Sequence, residues 1–260
     1  MLLAIDIGNT QITLGIFKDD KLILTSRLAS ETKKTSDQYA VDLYNIFLIH
    51  NIDYKKFSGI IISSVVPELT LYLNDAVVTV TGVEPCLIHN DIDAGLDIVD
   101  EAKGHVGADL AAVSVAAKEE YPLPCFIIDL GTATKIILLN ENGKFMGCTI
   151  SPGVRISLET LFAKASLLPS ISLKAPEKSI GTNSVDCMKA GTVFGTASMI
   201  DGLTDRMEKE FGSKIKSTVA TGGYAEEIIK CCNREMIYDK DLILYGLKKI
   251  YERKNCNEKK

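Results

Sequence analysis

Two short acidic turns, about half a chain apart, carry the residues best suited to chemistry. The first is Asp6-Ile7-Gly8-Asn9-Thr10, and the second is Asp129-Leu130-Gly131-Thr132. Each places a carboxylate, a glycine and a hydroxyl directly after an apolar run. Backbone N–H groups and hydroxyls in such turns bind phosphate oxygens, and carboxylates hold a cation. A single copy is equally typical of an ordinary β-hairpin turn. The second copy favours a nucleotide triphosphate site.

A third carboxylate follows a glycine at the predicted start of a helix, in Gly107-Ala108-Asp109. Two interpretations of Asp109 remain open at this point. The helix dipole favours an acid in the first turn for purely structural reasons. The same acid is also suited to act as a general base that accepts a proton from an attacking hydroxyl.

Two glycine-containing turns each follow an apolar strand and precede a helix. One runs from Gly147 to Gly153, and the other is Thr221-Gly222-Gly223. Glycines at such turns let a nucleotide lie against the backbone at a helix N-terminus. A simple strand-to-helix connection explains the same glycines, and the sequence alone does not separate the two.

The elements that must position these residues form an internal repeat. Each half of the chain opens with apolar runs typical of successive strands, and amphipathic helical segments follow. The order βββαβα, given twice with variations, predicts an α/β fold of two similar domains with mixed sheets that face a central cleft. The predicted strands span 2–7, 11–18, 21–28, 125–130, 133–140 and 144–150; the domains span 1–120 and 121–255, with a frayed tail at 256–260.

Composition narrows the function classes. The chain has 260 residues and a net charge of −5, without long basic blocks, which argues against nucleic acid as the main ligand. No apolar run reaches the length of a membrane span, and we expect no signal peptide. The seven cysteines include no Cys-x-x-Cys pair, which predicts free thiols in a reducing cytoplasm and no zinc site.

Taken in order, the motifs resemble those of the type III pantothenate kinase family, a branch of the acetate-and-sugar-kinase, Hsp70 and actin superfamily. The resemblance covers nearly all of residues 1–253 and includes the Pro-Gly turn at 152–153 and the run 63–67. It implies two ribonuclease H-like (actin-like ATPase) domains. It also implies phosphorylation of pantothenate by ATP in coenzyme A biosynthesis, with Mg²⁺ and a monovalent cation, K⁺ or NH₄⁺, in a cytoplasmic homodimer.

The resemblance also assigns roles to residues. Asp109 would be the catalytic base, in a pantothenate pocket bordered by Gly107 and Ala108. Asp129 would support the monovalent cation, and Ser184 would reach the pocket of the neighbouring subunit. The remaining assignments concern ATP and its magnesium ion: Asp6, Gly8, Asn9, Thr10, Gln11 and Thr13 in the first phosphate loop, then Thr132, Gly222 and Gly223.

The chain departs from the family pattern mainly around the substrate pocket. Leu110 stands where the family has Arg, and leucine offers no donor to a carboxylate or phosphate. Three explanations remain open: a rebuilt pocket, a different small alcohol as substrate, or a catalytically weak paralogue that binds nucleotide in a regulatory role. A rebuilt pocket could take its charge from Arg155, Lys135 or Lys103. The other departures are Gln11, Ile12, Asp100, Lys135 and Cys148.

Overall fold

A computed structural model describes residues 1–90, 94–165 and 168–258, with side chains up to residue 254. It divides into two units, which are described one at a time. Unit 1 comprises residues 1–96, 100–116 and those from 243 onward, and unit 2 comprises 97–99 and 117–242. Among the described residues, no helix is long and apolar enough to cross a membrane.

The strands and helices alternate along the chain much as the repeat predicts. The strands are β1 (Leu2–Ile7), β2 (Gln11–Lys18), β3 (Lys21–Ala29), β4 (Gly59–Ser64), β5 (Cys86–Ile88), β6 (Cys125–Leu130), β7 (Ala133–Leu139), β8 (Phe145–Pro152), β9 (Ser217–Thr221) and β10 (Ile237–Tyr238). The α-helices are α1 (Ser36–Ile49), α2 (Pro67–Thr81), α3 (Ala108–Glu120), α4 (Val154–Lys164), α5 (Ser184–Phe211), α6 (Ala225–Ile229) and α7 (Leu242–Glu258).

Unit 1 is built on a five-stranded sheet in the order β3-β2-β1-β4-β5. The first three strands form an antiparallel meander, whereas β4 and β5 run parallel to β1. The apolar face of the sheet packs against α1 and α2, around the fully buried Tyr39 and Phe47. The pattern Thr35-x-x-Gln38 predicts a capping box at the start of α1, and the structure confirms it: Thr35 accepts from the backbone of Gln38, whose side chain accepts from the backbone of Thr35.

Helix α7 packs in unit 1 through glycines that leave room for it. A Cβ on Gly15 of β2 would lie 2.7 Å from Leu244, and one on Gly59 of β4 would overlap Tyr251. Gly246 of α7 itself lies against the backbone of Ala112 in α3. These close approaches bind the last helix to the first sheet, although it comes last in the sequence.

Unit 2 repeats the arrangement with a sheet in the order β10-β9-β6-β7-β8. Strands β6, β7 and β8 form the antiparallel meander, and β9 and β10 are added parallel to β6. Its core is formed by the sheet with α4, α5 and α6, including the buried Phe126, Val193 and Ile200. In each sheet the first strand of the unit lies in the centre, with the other two meander strands on one side and the two parallel strands on the other. The structure therefore confirms the internal repeat.

The two units differ from the predicted domains in three places. Residues 97–99 belong to unit 2, because Phe145 exchanges backbone hydrogen bonds with Asp97 and Val99. The division falls inside α3, after Ala116, and α7 belongs to unit 1 from residue 243 onward. Helix α7 also extends through Glu258, where a frayed tail was predicted from residue 256; residues 259–260 lie outside the described residues.

Candidate active site

The first acidic turn forms a tight hairpin that joins β1 to β2. The Gly8 N–H donates to the Gln11 carbonyl over 3.0 Å, which closes the turn. Ser30 holds it from the side: its Oγ donates to the Gly8 carbonyl over 2.6 Å, and its N–H donates to the Thr10 carbonyl over 3.1 Å. Asn9 and Thr10 are therefore presented to solvent on a fixed backbone. Ser30 lies outside the motifs from which this turn was predicted.

Asp6 lies half-buried on β1, between Thr13 of β2 and Ser63 of β4 in the sheet register. The Ser63 hydroxyl donates to one Asp6 carboxylate oxygen over 2.6 Å. Because Ser63 is fully buried, this bond fixes the orientation of the carboxylate at the carboxyl end of β1. A carboxylate held in this way fits Mg²⁺, which prefers oxygen ligands and usually keeps several waters.

Asp109 lies in the first turn of α3, where the helix dipole favours a negative charge. Its Oδ1 accepts from the Leu110 N–H over 2.8 Å. Gly107 makes this conformation possible, because a Cβ there would lie only 2.9 Å from the same oxygen. The missing Cβ would also lie 3.9 Å from Val65, whose N–H donates to the carbonyl of Ile7. Within unit 1, Gly107 therefore approaches Val65, which follows β4 and bonds to the last residue of β1.

The two residues beside Asp109 point inward. Ala108 is fully buried and Leu110 is only 7% exposed. Ala108 exposes no surface, so Gly107 and Asp109, both partly exposed, are the residues of this motif that a ligand can reach. Leu110, which stands where the family has arginine, is a core residue of α3. Its side chain is therefore not available to a ligand.

The second acidic turn joins β6 to β7, and an ion pair between these strands holds it. Asp129 of β6 and Lys135 of β7 are direct partners in the antiparallel register, and the lysine Nζ donates to Asp129 Oδ2 over 3.0 Å. Both side chains are largely buried, at 18% and 15% exposure. The hairpin register could have predicted this pair from the sequence, because positions equidistant from a tight turn face each other.

Two other chain segments pack tightly on the second acidic turn. Gly153, at the start of α4, donates its N–H to the Thr132 carbonyl over 3.1 Å, and a Cβ there would overlap that oxygen. Gly222 has φ +99°, and a Cβ there would lie 2.5 Å from the Leu130 carbonyl oxygen. Gly223 is exposed, and nothing lies within 4 Å of where its Cβ would be. Three strand ends of unit 2 thus form one glycine-lined surface.

A mainly apolar cavity of about 900 Å³ lies in unit 2 between α4 and α5, and Pro152 and Val154, on either side of Gly153, line it. Ser184, the predicted substrate residue, is exposed at the first turn of α5 and lines this cavity. Asn183 caps the helix by accepting from the Asp186 N–H over 3.0 Å. The apolar lining includes Val154, Leu158, Leu161, Leu168, Met188 and Met199.

The other cations considered as replacements for the lost arginine pair with carboxylates of their own segments. Arg155 of α4 donates to Glu159 over 2.6 Å in an exposed pair. Lys103 lies 3.9 Å from Asp100, whose side chain is 92% exposed. Within residues 1–90, 94–165 and 168–254, no group of three histidine, cysteine or acidic side chains is placed to hold a metal ion.

Comparisons with known proteins show which family and which fold this chain resembles. A family model described as type III pantothenate kinase matches residues 2–206. Curated proteins named type III pantothenate kinase are 39% identical in Moorella thermoacetica and 38% in Halalkalibacterium halodurans, each over 97% of this chain and 99% of the relative. A Campylobacter jejuni structure titled a putative Baf family transcriptional activator shares the fold, with a TM-score of 0.61 and 21% identity over 97% of this chain and 98% of that one. Other structural neighbours have the α/β fold of the actin-like ATPases.

Proposed function

This chain belongs to the type III pantothenate kinase family, and we propose that its two acidic turns and Asp109 carry out that family's phosphoryl transfer. The γ-phosphoryl group of ATP passes to the hydroxyl of pantothenate, and ADP leaves. The observation that supports this most strongly is the repeated geometry: Asp6 and Asp129 occupy equivalent positions on the first strands of two sheets with the same strand order.

The first acidic turn is proposed to bind the ATP phosphates. Backbone N–H groups and the exposed hydroxyl and amide side chains supply donors to the phosphate oxygens. Asp6, oriented by Ser63, would hold Mg²⁺ directly or through water, and that ion neutralises phosphate charge when bound. The residues proposed to take part are Asp6, Gly8, Asn9, Thr10, Gln11 and Thr13.

The glycine-lined surface of unit 2 is also proposed to contact nucleotide. Thr132 supplies a hydroxyl, while Gly222 and Gly223 let the nucleotide approach the backbone. The exposed Gly223, with open space beside it, supports this assignment. Gly222 acts indirectly, because its contact with Leu130 holds the turn in place.

Asp109 is proposed to be the general base. Its carboxylate orients the pantothenate hydroxyl and accepts its proton as the bond to phosphorus forms. Gly107 borders the substrate, and the buried Ala108 begins the helix that carries Asp109. Asp6 and Asp109 both belong to unit 1, which supports a proposal that joins the base to the first phosphate loop.

We further propose a cytoplasmic homodimer in which Ser184 contributes to the neighbouring copy's pocket. The apolar cavity beside α5 and the exposed Ile156 and Leu161 of α4 support a covered surface there. No disulfide joins any two of the cysteines at 86, 125, 148, 187, 231 and 232.

A non-catalytic nucleotide-binding role is the second candidate, favoured by the buried Leu110 in place of the family's arginine. A coupled assay of ADP release with ATP, Mg²⁺ and pantothenate separates the two. We expect turnover that depends on pantothenate. ATP binding without any pantothenate-dependent ADP release would instead support the second candidate. A panel of other small primary alcohols in the same assay tests for a changed substrate.

A further inference from the structure

The Asp129–Lys135 ion pair occupies the position for which the family resemblance predicts a free monovalent cation. The lysine Nζ lies 3.0 Å from Asp129 Oδ2, and both side chains are largely buried. Residues on either side of Lys135 fix its backbone, because Thr134 and Ile136 are almost completely buried in β7. The ammonium is therefore held beside the carboxylate by the strand that carries it.

The pair and a free cation are chemically exclusive at this carboxylate oxygen. A lysine ammonium carries the same single positive charge as K⁺ or NH₄⁺, and it already neutralises the Asp129 carboxylate. A second monovalent cation on the same oxygen would be repelled by the ammonium at close range, in surroundings that screen charge poorly. Asp129 Oδ2, with the ammonium already beside it, thus does not fit a bound monovalent cation.

We propose that Lys135 is a built-in replacement for that cation at the second acidic turn. Its ammonium neutralises Asp129 and supplies positive charge where nucleotide phosphates approach Thr132. ATP binding and phosphoryl transfer then need no added K⁺ or NH₄⁺. The inference rests on the proposed function for its nucleotide, but its test reads ATP binding separately from turnover.

The test compares the wild type with Lys135→Thr, which removes the ammonium and leaves a neutral hydroxyl side chain. ATP affinity is measured by calorimetry with Mg²⁺ in KCl, NH₄Cl or choline chloride at equal ionic strength. Lys144→Thr is the matched control, because it removes the same charge just before β8, at the opposite end of the β7–β8 hairpin. Thermal midpoints in the same salts provide a second readout.

We expect the wild type and Lys144→Thr to bind ATP equally well in all three salts. Lys135→Thr should bind ATP at least about tenfold more weakly in choline, as expected for loss of a charged contact, and should recover in KCl or NH₄Cl. Its thermal midpoint should likewise rise when KCl replaces choline. Lys135→Arg retains the charge and should stay independent of K⁺.

Two results would overturn the proposal: a wild-type protein whose ATP affinity depends on K⁺, or a Lys135→Thr protein that binds ATP normally in choline. If Lys135→Thr does not fold, the salt dependence of the wild type and of Lys135→Arg decides the question. Failure of the proposed function looks different, because pantothenate would then stay unphosphorylated while the ATP-binding pattern held.

Discussion

Gly222 and Gly223 are adjacent, yet the structure predicts opposite consequences for replacing each with alanine. At Gly222 the backbone has φ +99°, and the new Cβ would lie 2.5 Å from the Leu130 carbonyl oxygen. At Gly223 nothing lies within 4 Å of the new Cβ. One substitution therefore strains the fold, and the other alters only the surface proposed to receive the nucleotide.

The cost of Gly222→Ala can be worked from two contributions. A non-glycine residue in the left-handed backbone region costs roughly 1–2 kcal/mol. Relieving the overlap with Leu130 adds roughly 1–3 kcal/mol, as overpacking does in protein cores. A total of about 2–5 kcal/mol lowers the thermal midpoint by roughly 5–15 °C in a chain of this size.

The assay pairs thermal unfolding with ATP kinetics for both variants. We expect Gly223→Ala to shift the midpoint by no more than about 2 °C, as neutral surface changes do, while raising the KM for ATP. Equal midpoints for the two variants would refute the packing of Gly222 on Leu130. An unchanged ATP KM in Gly223→Ala would refute the placement of the nucleotide beside that turn.

Two further predictions concern groups outside the site. Burial raises the pKa of Glu208, but hydrogen bonds from Arg234 and the Ile215 backbone outweigh it, so the pKa falls below the ordinary 4.5. The stability that the lowered pKa adds is present above pH 4.5 and is lost as the pH falls through the folded-state pKa. The wild type should therefore unfold at a higher temperature than Glu208→Gln at pH 7, and this difference should shrink towards pH 3. A difference that stays constant with pH would contradict this. Burial also raises the pKa of the Cys125 thiol to about 11, whereas Cys187 is exposed. Iodoacetamide should therefore label native Cys187 well before Cys125 when followed by peptide mass spectrometry, and equal rates would contradict the burial.

Local patterns in the sequence predicted much of the fold. Strands β1, β2 and β6 match their predicted limits, because apolar periodicity acts over a few neighbouring residues. The Thr35 capping box was found for the same reason. The two-residue strand β10 was missed, since its exposed residues carry no apolar pattern.

Contacts between distant segments were harder to predict. Helix α7 packs in unit 1 through Gly15, Gly59 and Gly246, and no local signal links these positions. Ser63 and Ser30 hold the first acidic turn from strands and loops far along the chain. At the candidate site, the acidic residues and glycines were predicted, but the partners that orient them were not.

The most direct test of the account is transfer of labelled γ-phosphate from ATP to pantothenate by the wild type and by Asp109→Asn. The amide matches the carboxylate in shape but accepts no proton, so kcat should fall by about 10²–10⁴-fold while ATP affinity stays near that of the wild type. Labelled phosphopantothenate formed at similar rates by both proteins would contradict the role of Asp109. Absence of product from the wild type, with ATP bound normally, would contradict the proposed reaction itself.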